Sequence, residues 1–373
     1  MNAYSRLILV AALFLVPMLA VSAQDPVATP PPLDDDKPET IFSEEIRVNV
    51  SAFDRFGNSV GDVTTDDLVI MEDGRILQPA SVRRIPANVV LLLDLGGELR
   101  RVKNITNTRN TAKELVSKLT SDTNIAVVEY HDKARVLTDW TTDRKTINDD
   151  LQKKLIFGRR SVFSDGIELA LTMLSKPDME NRHLVIISDG TDTIASNERR
   201  RALFTRLLGT NITVHVLSYT KMERDDLERS LKGGTAPAQK KALPQEVIDG
   251  LPNGVRDVAN ASGGITINTD KEFQNTMNAR KEALKSSESF LLEMSESTAG
   301  IFLLPDDMDE MTERTETVAK AIDSSYLVTY VPKRPLAESP KGETRNIEVT
   351  SKKSGVFVEA KRKLVVGGTQ AQE

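Results

Sequence analysis

No cysteine occurs among the 373 residues. Disulfide scaffolds, thiolate zinc sites, iron–sulfur clusters and cysteine nucleophiles all need sulfur that the chain lacks, so those classes fall away. Histidine is nearly as scarce: His131, His183 and His215 are far apart, each on or beside an expected strand. That distribution fits a place on a sheet surface better than imidazole ligation. Positive charge is also in deficit. Lysine and arginine number 49 against 55 acidic residues, a formal net charge of −6 with the signs interspersed, which leaves no electrostatic footprint for nucleic acid. No Ser/His/Asp order, phosphate loop or dinucleotide fingerprint can be assembled, so no enzyme class has a motif here.

What is present begins with an address. Residues 1–6 carry one positive charge, residues 7–20 are an apolar run, and Val21-Ser22-Ala23 offers the small-x-small pattern that a signal peptidase cuts. The run is shorter than the ~20 residues of a membrane span, and acidic, proline-rich sequence follows it. Residues 1–23 therefore read as a signal peptide cleaved near Ala23, giving a secreted or periplasmic product with no membrane span in the mature chain. Cleavage removes Arg6 alone among the charges and leaves a net charge of −7. Without a cysteine after the cleavage site, a lipid anchor has nowhere to attach.

Residues 24–42 hold five prolines and the run Asp34-Asp35-Asp36, a composition that cannot bury apolar area and reads as a linker. Residues 43–86 alternate at period two and contain Asp73-Gly74 between apolar segments, the signature of a small β module with a hairpin. From residue 87 to 325 strands and helices alternate. Residues 89–93 and 184–187 are unbroken apolar runs, as expected of parallel strands covered on both faces. The predicted fold class is α/β, an open, doubly wound, mostly parallel sheet of Rossmann type, with a flanking β module built from N- and C-terminal strands. Residues 219–270 break the rhythm and read as an insertion. Two short segments, 258–265 and 294–301, look alike, and the second is the better candidate for the sheet's last strand because it leads into the helix expected near residues 307–322. Residues 326–365 are β again and are expected to pack with the N-terminal module, since sheet edges need partners. Residues 366–373 read as a disordered tail.

Asp94 closes one buried strand and Asp189 another. Carboxylates at the carboxyl ends of neighbouring parallel strands converge, and hard cations take oxygen ligands held in this way. The segments Leu91-Leu92-Leu93-Asp94-Leu95-Gly96-Gly97-Glu98, Gly158-Arg159-Arg160-Ser161 and Ser188-Asp189-Gly190-Thr191 resemble the motifs of the von Willebrand factor type A (VWA) domain. The flanks at residues 46–77 and from Ser325 to Pro332 are similar to the exported acidobacterial VWFA-related subfamily. The resemblance implies a protein-interaction (adhesion) module, not an enzyme, with Asp94, Glu98, Ser161 and Asp189 as metal ligands, Mg²⁺ or another divalent cation as cofactor, and a protein as partner.

The motif is degenerate. Gly96 and Glu98 replace two serines of the D-x-S-x-S pattern, Ser161 stands where threonine is usual, and Arg159 and Arg160 flank it. Glu98 could add a third carboxylate ligand or pair with an arginine; a guanidinium on Asp94 or Asp189 would oppose a cation. Two functional readings follow: an adhesion protein with a degenerate metal site, or a metal-independent structural or scaffold subunit of a cell-envelope assembly.

Overall fold

The computed structural model describes residues 44–97, 102–176, 178–193, 195–232 and 270–367. The expected signal peptide, the linker, Glu98, most of the expected insertion and residues 368–373 lie outside the described residues.

The central layer is a six-stranded sheet. Its strands are β5 (Asn88–Asp94), β6 (Asn124–Tyr130), β7 (Ala134–Thr141), β8 (Arg182–Ser188), β9 (Thr213–Ser218) and β10 (Phe302–Leu303), in the order β10-β9-β8-β5-β6-β7. All neighbours are parallel except β7, which runs antiparallel at one edge. In β5 the apolar run Val89–Leu93 is wholly buried because helices cover both faces. On one face lie α1 (Ile105–Lys118) and α2 (Arg144–Lys153), joined by two helices from the end of the domain, Met308–Glu313 and Thr315–Asp323. On the other lie α3 (Phe163–Leu174), α4 (Asn197–Leu208) and a 27-residue helix, Asp270–Glu296, here called α6. The fold class is thus the one the sequence implies. The segment 294–301 does lead into β10, while its look-alike at 258–265 lies outside the described residues.

The stretch taken as an insertion is more regular than expected. It opens with a helix, α5 (Thr220–Lys232), and the long α6 follows the undescribed residues. Among the described side chains of α6, Leu284, Ser287, Leu291, Met294 and Ser295 are buried, a narrow stripe spaced by three and four residues.

Two four-stranded antiparallel sheets flank this layer. One orders β13 (Phe357–Glu359), β1 (Ile46–Phe53), β11 (Ser325–Tyr330) and β4 (Ser81–Arg83); the other orders β14 (Lys361–Val365), β12 (Thr344–Ser351), β2 (Leu68–Glu72) and β3 (Arg75–Leu77). Their inner faces share one apolar cluster, including Val48, Ile70, Val328 and Ile347. The β2–β3 hairpin turns at Asp73 and Gly74 with φ of 48° and 79°, the left-handed pair that such a two-residue turn demands.

Candidate functional site

The site lies at the carboxyl edge of the central sheet. Strand β5 delivers Asp94 and the residue after β8 is Asp189, both fully buried. The structure brings the two carboxylates together as expected, but onto a side chain that the sequence reading passed over. Lys103 Nζ lies 2.9 Å from Asp94 Oδ2 and 2.8 Å from Asp189 Oδ2, and its side chain is 1% exposed. Its position follows from the chain: Asn104 caps α1 by accepting from the Asn107 amide at 3.0 Å, so the residue just before the cap is fixed at the sheet edge.

A second cation arrives from α6. Arg280 Nη2 donates to Asp189 Oδ2 at 2.9 Å and to Glu223 Oε2 of α5 at 3.0 Å. Hydroxyls and amides take the remaining carboxylate oxygens. Asp94 Oδ1 accepts from the Gly96 amide at 3.0 Å, and Asp94 Oδ2 also accepts from Ser188 Oγ at 2.8 Å. Asp189 Oδ1 accepts from both the amide and the hydroxyl of Thr191. Tyr130 and Ser188 share a 2.6 Å hydroxyl contact beneath them. Every oxygen of the two aspartates therefore has a donor.

The charges balance unevenly. Two cations, Lys103 and Arg280, face three carboxylates, Asp94, Asp189 and Glu223. Burial by itself would raise Asp189, but Lys103 and Arg280 outweigh it and hold this carboxyl well below its ordinary range. Burial would lower Lys103, yet Asp189, Asp94 and Glu223 push its ammonium above the usual value. Asp94 is raised, chiefly by burial and then by its neighbour Asp189, against the pull of Lys103. Glu223 is the odd carboxylate: burial and the Asp189 charge push it up to about 7, and its Oε1 has no hydrogen-bond partner.

A divalent cation implied by the motif does not fit these residues. Such ions take six or more oxygens with free lone pairs, whereas here the lone pairs face N–H and O–H donors and an ammonium sits between the carboxylates. Ser161, buried, donates its hydroxyl to the Thr191 carbonyl at 2.8 Å. Glu98 lies outside the described residues. Among the described residues no three His, Asp or Glu side chains form a group that could hold a metal. Arg159 and Arg160 are exposed, the Arg160 amide donates to Asp132 Oδ1, and the ion pairs to the aspartates come from Lys103 and Arg280.

Position 96 shows why the motif changed. A Cβ there would lie 1.9 Å from the Arg160 carbonyl oxygen, so the motif serine has no room while residues 160–161 close over the strand end. Asp192 accepts from the Ser164 amide at 2.7 Å and fixes the start of α3. His183 and His215 stack on adjacent strands, buried rather than on the sheet surface, and His183 is anchored by Asn181.

Doubly wound sheets bind ligands at the carboxyl edge, the edge at which this sheet gathers two strand-end aspartates. Residues 89–191 match the family model described as von Willebrand factor type A domain, and the chain carries a domain of that family. No protein of curated function matches the sequence. Among solved structures the chain is similar to a von Willebrand factor type A protein from Catenulispora acidiphila, at 10% identity over 87% of this chain and 74% of that one, with a TM-score of 0.42. It is also similar to BatB from Bacteroides thetaiotaomicron, at 15% identity over 63% and 98% of the two chains, TM-score 0.38. A further likeness is to the vWF domain of the type V pili tip protein Mfa5 from Porphyromonas gingivalis, at 16% identity over 34% and 49%, TM-score 0.27. No helix among the described residues is long and apolar enough to cross a membrane.

Proposed function

We propose that the chain is an exported, non-enzymatic protein-interaction protein whose VWA domain carries an internal ammonium where the family motif would hold a metal ion. A VWA domain fits a protein-interaction role. The observation that carries the metal-free reading is Lys103, held between Asp94 and Asp189. Its charge does the structural part of a cation's work, neutralising two buried carboxylates, but it leaves no open coordination position for a partner's acidic side chain. Partners therefore meet the surface around the site by ordinary side-chain contacts, which also suits a scaffold subunit of an envelope assembly. Export rests on residues 1–23 and the cleavage pattern ending at Ala23.

Calorimetric titration of the mature chain with Mg²⁺, Ca²⁺ and Mn²⁺ tests the reading. No saturable heat is expected with any of the three ions. Binding that disappears in Asp94→Ala and Asp189→Ala would overturn it and restore the metal-bridged adhesion site. Amino-terminal sequencing of the product exported from a bacterial host should begin at Gln24; a chain retained with residues 1–23 attached refutes the export half.

A further inference from the structure

His183 of β8 and His215 of β9 are each 1% exposed and take no part in the aspartate cluster. Their hydrogen bonds form one chain that runs from the lead-in of β10 to β11. The Ile301 amide, one residue before β10, donates to His215 Nδ1 at 3.3 Å. The two rings meet through His215 Nε2 and His183 Nδ1 at 3.1 Å, and His183 Nε2 lies 2.9 Å from Asn181 Oδ1. Asn181 is itself fixed: its Nδ2 donates to the Ile85 carbonyl at 2.9 Å, and its Oδ1 also accepts from Ser325 Oγ of β11 at 3.0 Å.

This chain allows one arrangement of hydrogens. The Ile301 amide can only donate, so His215 Nδ1 is bare and its Nε2 carries the hydrogen given to His183. Asn181 Oδ1 can only accept, so His183 Nε2 carries a hydrogen and its Nδ1 is bare. Both ends demand the same pair of neutral rings. A proton added to either ring turns an acceptor into a donor that faces another donor. It also buries a charge that no carboxylate answers among the described residues: burial, then the neighbouring ring, lowers His183, and burial alone lowers His215 to about 4. Around the pair, β1 and β11 bring Asn49, which donates to Thr213 Oγ1, and Ser325, neither of which titrates. The nearby cations are engaged elsewhere. Arg182 donates to the Met179 and Lys176 carbonyls, and Arg362 of β14 acts on Tyr330 and Arg182.

The joint that the chain holds is tight. Ala299 has a φ of 60°, a left-handed conformation unfavourable for a residue with a Cβ, and a Cβ on Gly300 would lie 1.8 Å from the Val214 carbonyl oxygen. The Val216 amide donates to the Ile301 carbonyl at 2.8 Å.

We propose that the His183–His215 pair is an acid-sensitive latch, in which proton uptake by either ring frees the residues between α6 and β10 from β9. Closed, the rings refuse protons; open to water, they take them up at the ordinary value of about 6.5. The latch therefore holds most firmly above pH 6.5. Opening is favoured progressively as pH falls from 6.5 towards 4, by up to about tenfold per pH unit for each ring. Because the same residues end α6, which carries Arg280 to Asp189, opening loosens the end of that helix. The latch rests on the histidine geometry and not on the reading of the Lys103 cluster.

Two measurements on the full chain test it. At pH 7 a long-range proton–nitrogen NMR spectrum should show both rings as neutral Nε2–H tautomers; a ring carrying Nδ1–H, or charged at that pH, overturns the proposal. Between pH 6.5 and 5 the hydrogen-exchange protection of the Ile301 and Val216 amides should fall at least about tenfold more than that of the Leu92 and Val127 amides in the middle of the sheet. An equal fall would mean general acid unfolding and would sink the latch. In His183→Gln combined with His215→Gln neither position titrates, so the pH-dependent difference should vanish; a difference that persists belongs to other groups. The wild-type spectra and exchange rates decide the matter even where that variant folds poorly.

Discussion

At the scale of the residue, the site is a balance of buried charges, and its two halves differed in legibility. Asp94 and Asp189 could be read from sequence because each ends an apolar strand, and parallel topology puts strand ends together. Lys103, Arg280 and Glu223 could not. A lysine before a helix cap or an arginine on a charged helix is ordinarily solvated, and only the tertiary placement of α1, α5 and α6 turns these three inward. Removing Lys103 leaves Asp94 facing Asp189 with no cation of its own, since Arg280 pairs with Asp189 and not with Asp94. Lys103→Met should cost about 3–5 kcal/mol, the range for breaking a buried ion pair from one side, read from denaturant midpoints. The double variant with Asp94→Asn should be less destabilised than the sum of the two single changes; strict additivity would mean that the contact carries no coupling. Glu223 supplies a pH signature. Its carboxyl is raised from 4.5 to about 7 in the folded chain, so the folded state favours the protonated form. The stability this group contributes is fully present below pH 4.5 and is lost as pH rises through 7. Glu223→Gln should erase that loss, so that wild type minus variant stability falls between pH 4.5 and 7; a flat difference would show that Glu223 titrates normally.

At the scale of the element, the βα rhythm was legible wherever a helix had a broad apolar stripe or a strand an unbroken run, and the fold class followed. At α6 the buried stripe is narrow, and two serines, Ser287 and Ser295, share it with Leu284, Leu291 and Met294. That helix is nonetheless the element that brings Arg280 to Asp189. Its apolar hold on the sheet comes through Leu291, Met294 and Phe290. Leu291 packs in the cluster with Phe163 and Val214, and its Cδ1 would lie 2.7 Å from a Cβ on Gly190, the residue after Asp189. Leu291→Ala should therefore cost about 2–5 kcal/mol, as for a fully buried leucine. It should also raise amide hydrogen exchange in α6 more than in α3, because Leu291 shares the anchoring of α6 in that cluster with Met294 and the partly buried Phe290, whereas α3 puts Phe163, Ile167, Ala170, Leu171, Met173 and Leu174 into it. Equal exchange in the two helices would show that the ion pairs of Arg280 and Lys281, not Leu291, hold the helix down.

At the scale of the whole molecule, the early and late strands of the described residues close one structure. Strand β1 pairs with β11, from Ile46 opposite Tyr330 to Ser51 opposite Ser325, and β2 pairs with β12. Arg345 of β12, 2% exposed, joins Glu72 of β2 at 2.8 Å and locks the second pairing inside the β layers. The β layers in turn are tied to the central sheet by buried polar contacts. Asn49 Nδ2 donates to the Arg182 carbonyl at 3.1 Å, Ser51 Oγ to the Ala321 carbonyl at 3.1 Å, and Ser325 Oγ to Asn181 Oδ1 at 3.0 Å. Separating the layers would exchange these bonds for bonds to water, at about 0.5–1.5 kcal/mol net for each, and would expose the apolar surface around them. Unfolding should then be a single cooperative transition rather than two. Trp140, the chain's one tryptophan, packs beside the core of the α/β domain and reports on that region alone. Glu72→Ala breaks the buried pair with Arg345, at about 3–5 kcal/mol, some distance in sequence and structure from Trp140. In one cooperative unit the variant shifts the Trp140 fluorescence midpoint in urea by the same amount as the far-ultraviolet circular dichroism midpoint. A fluorescence midpoint that stays at the wild-type value while the dichroism signal moves would show that the β layers melt independently of the VWA domain.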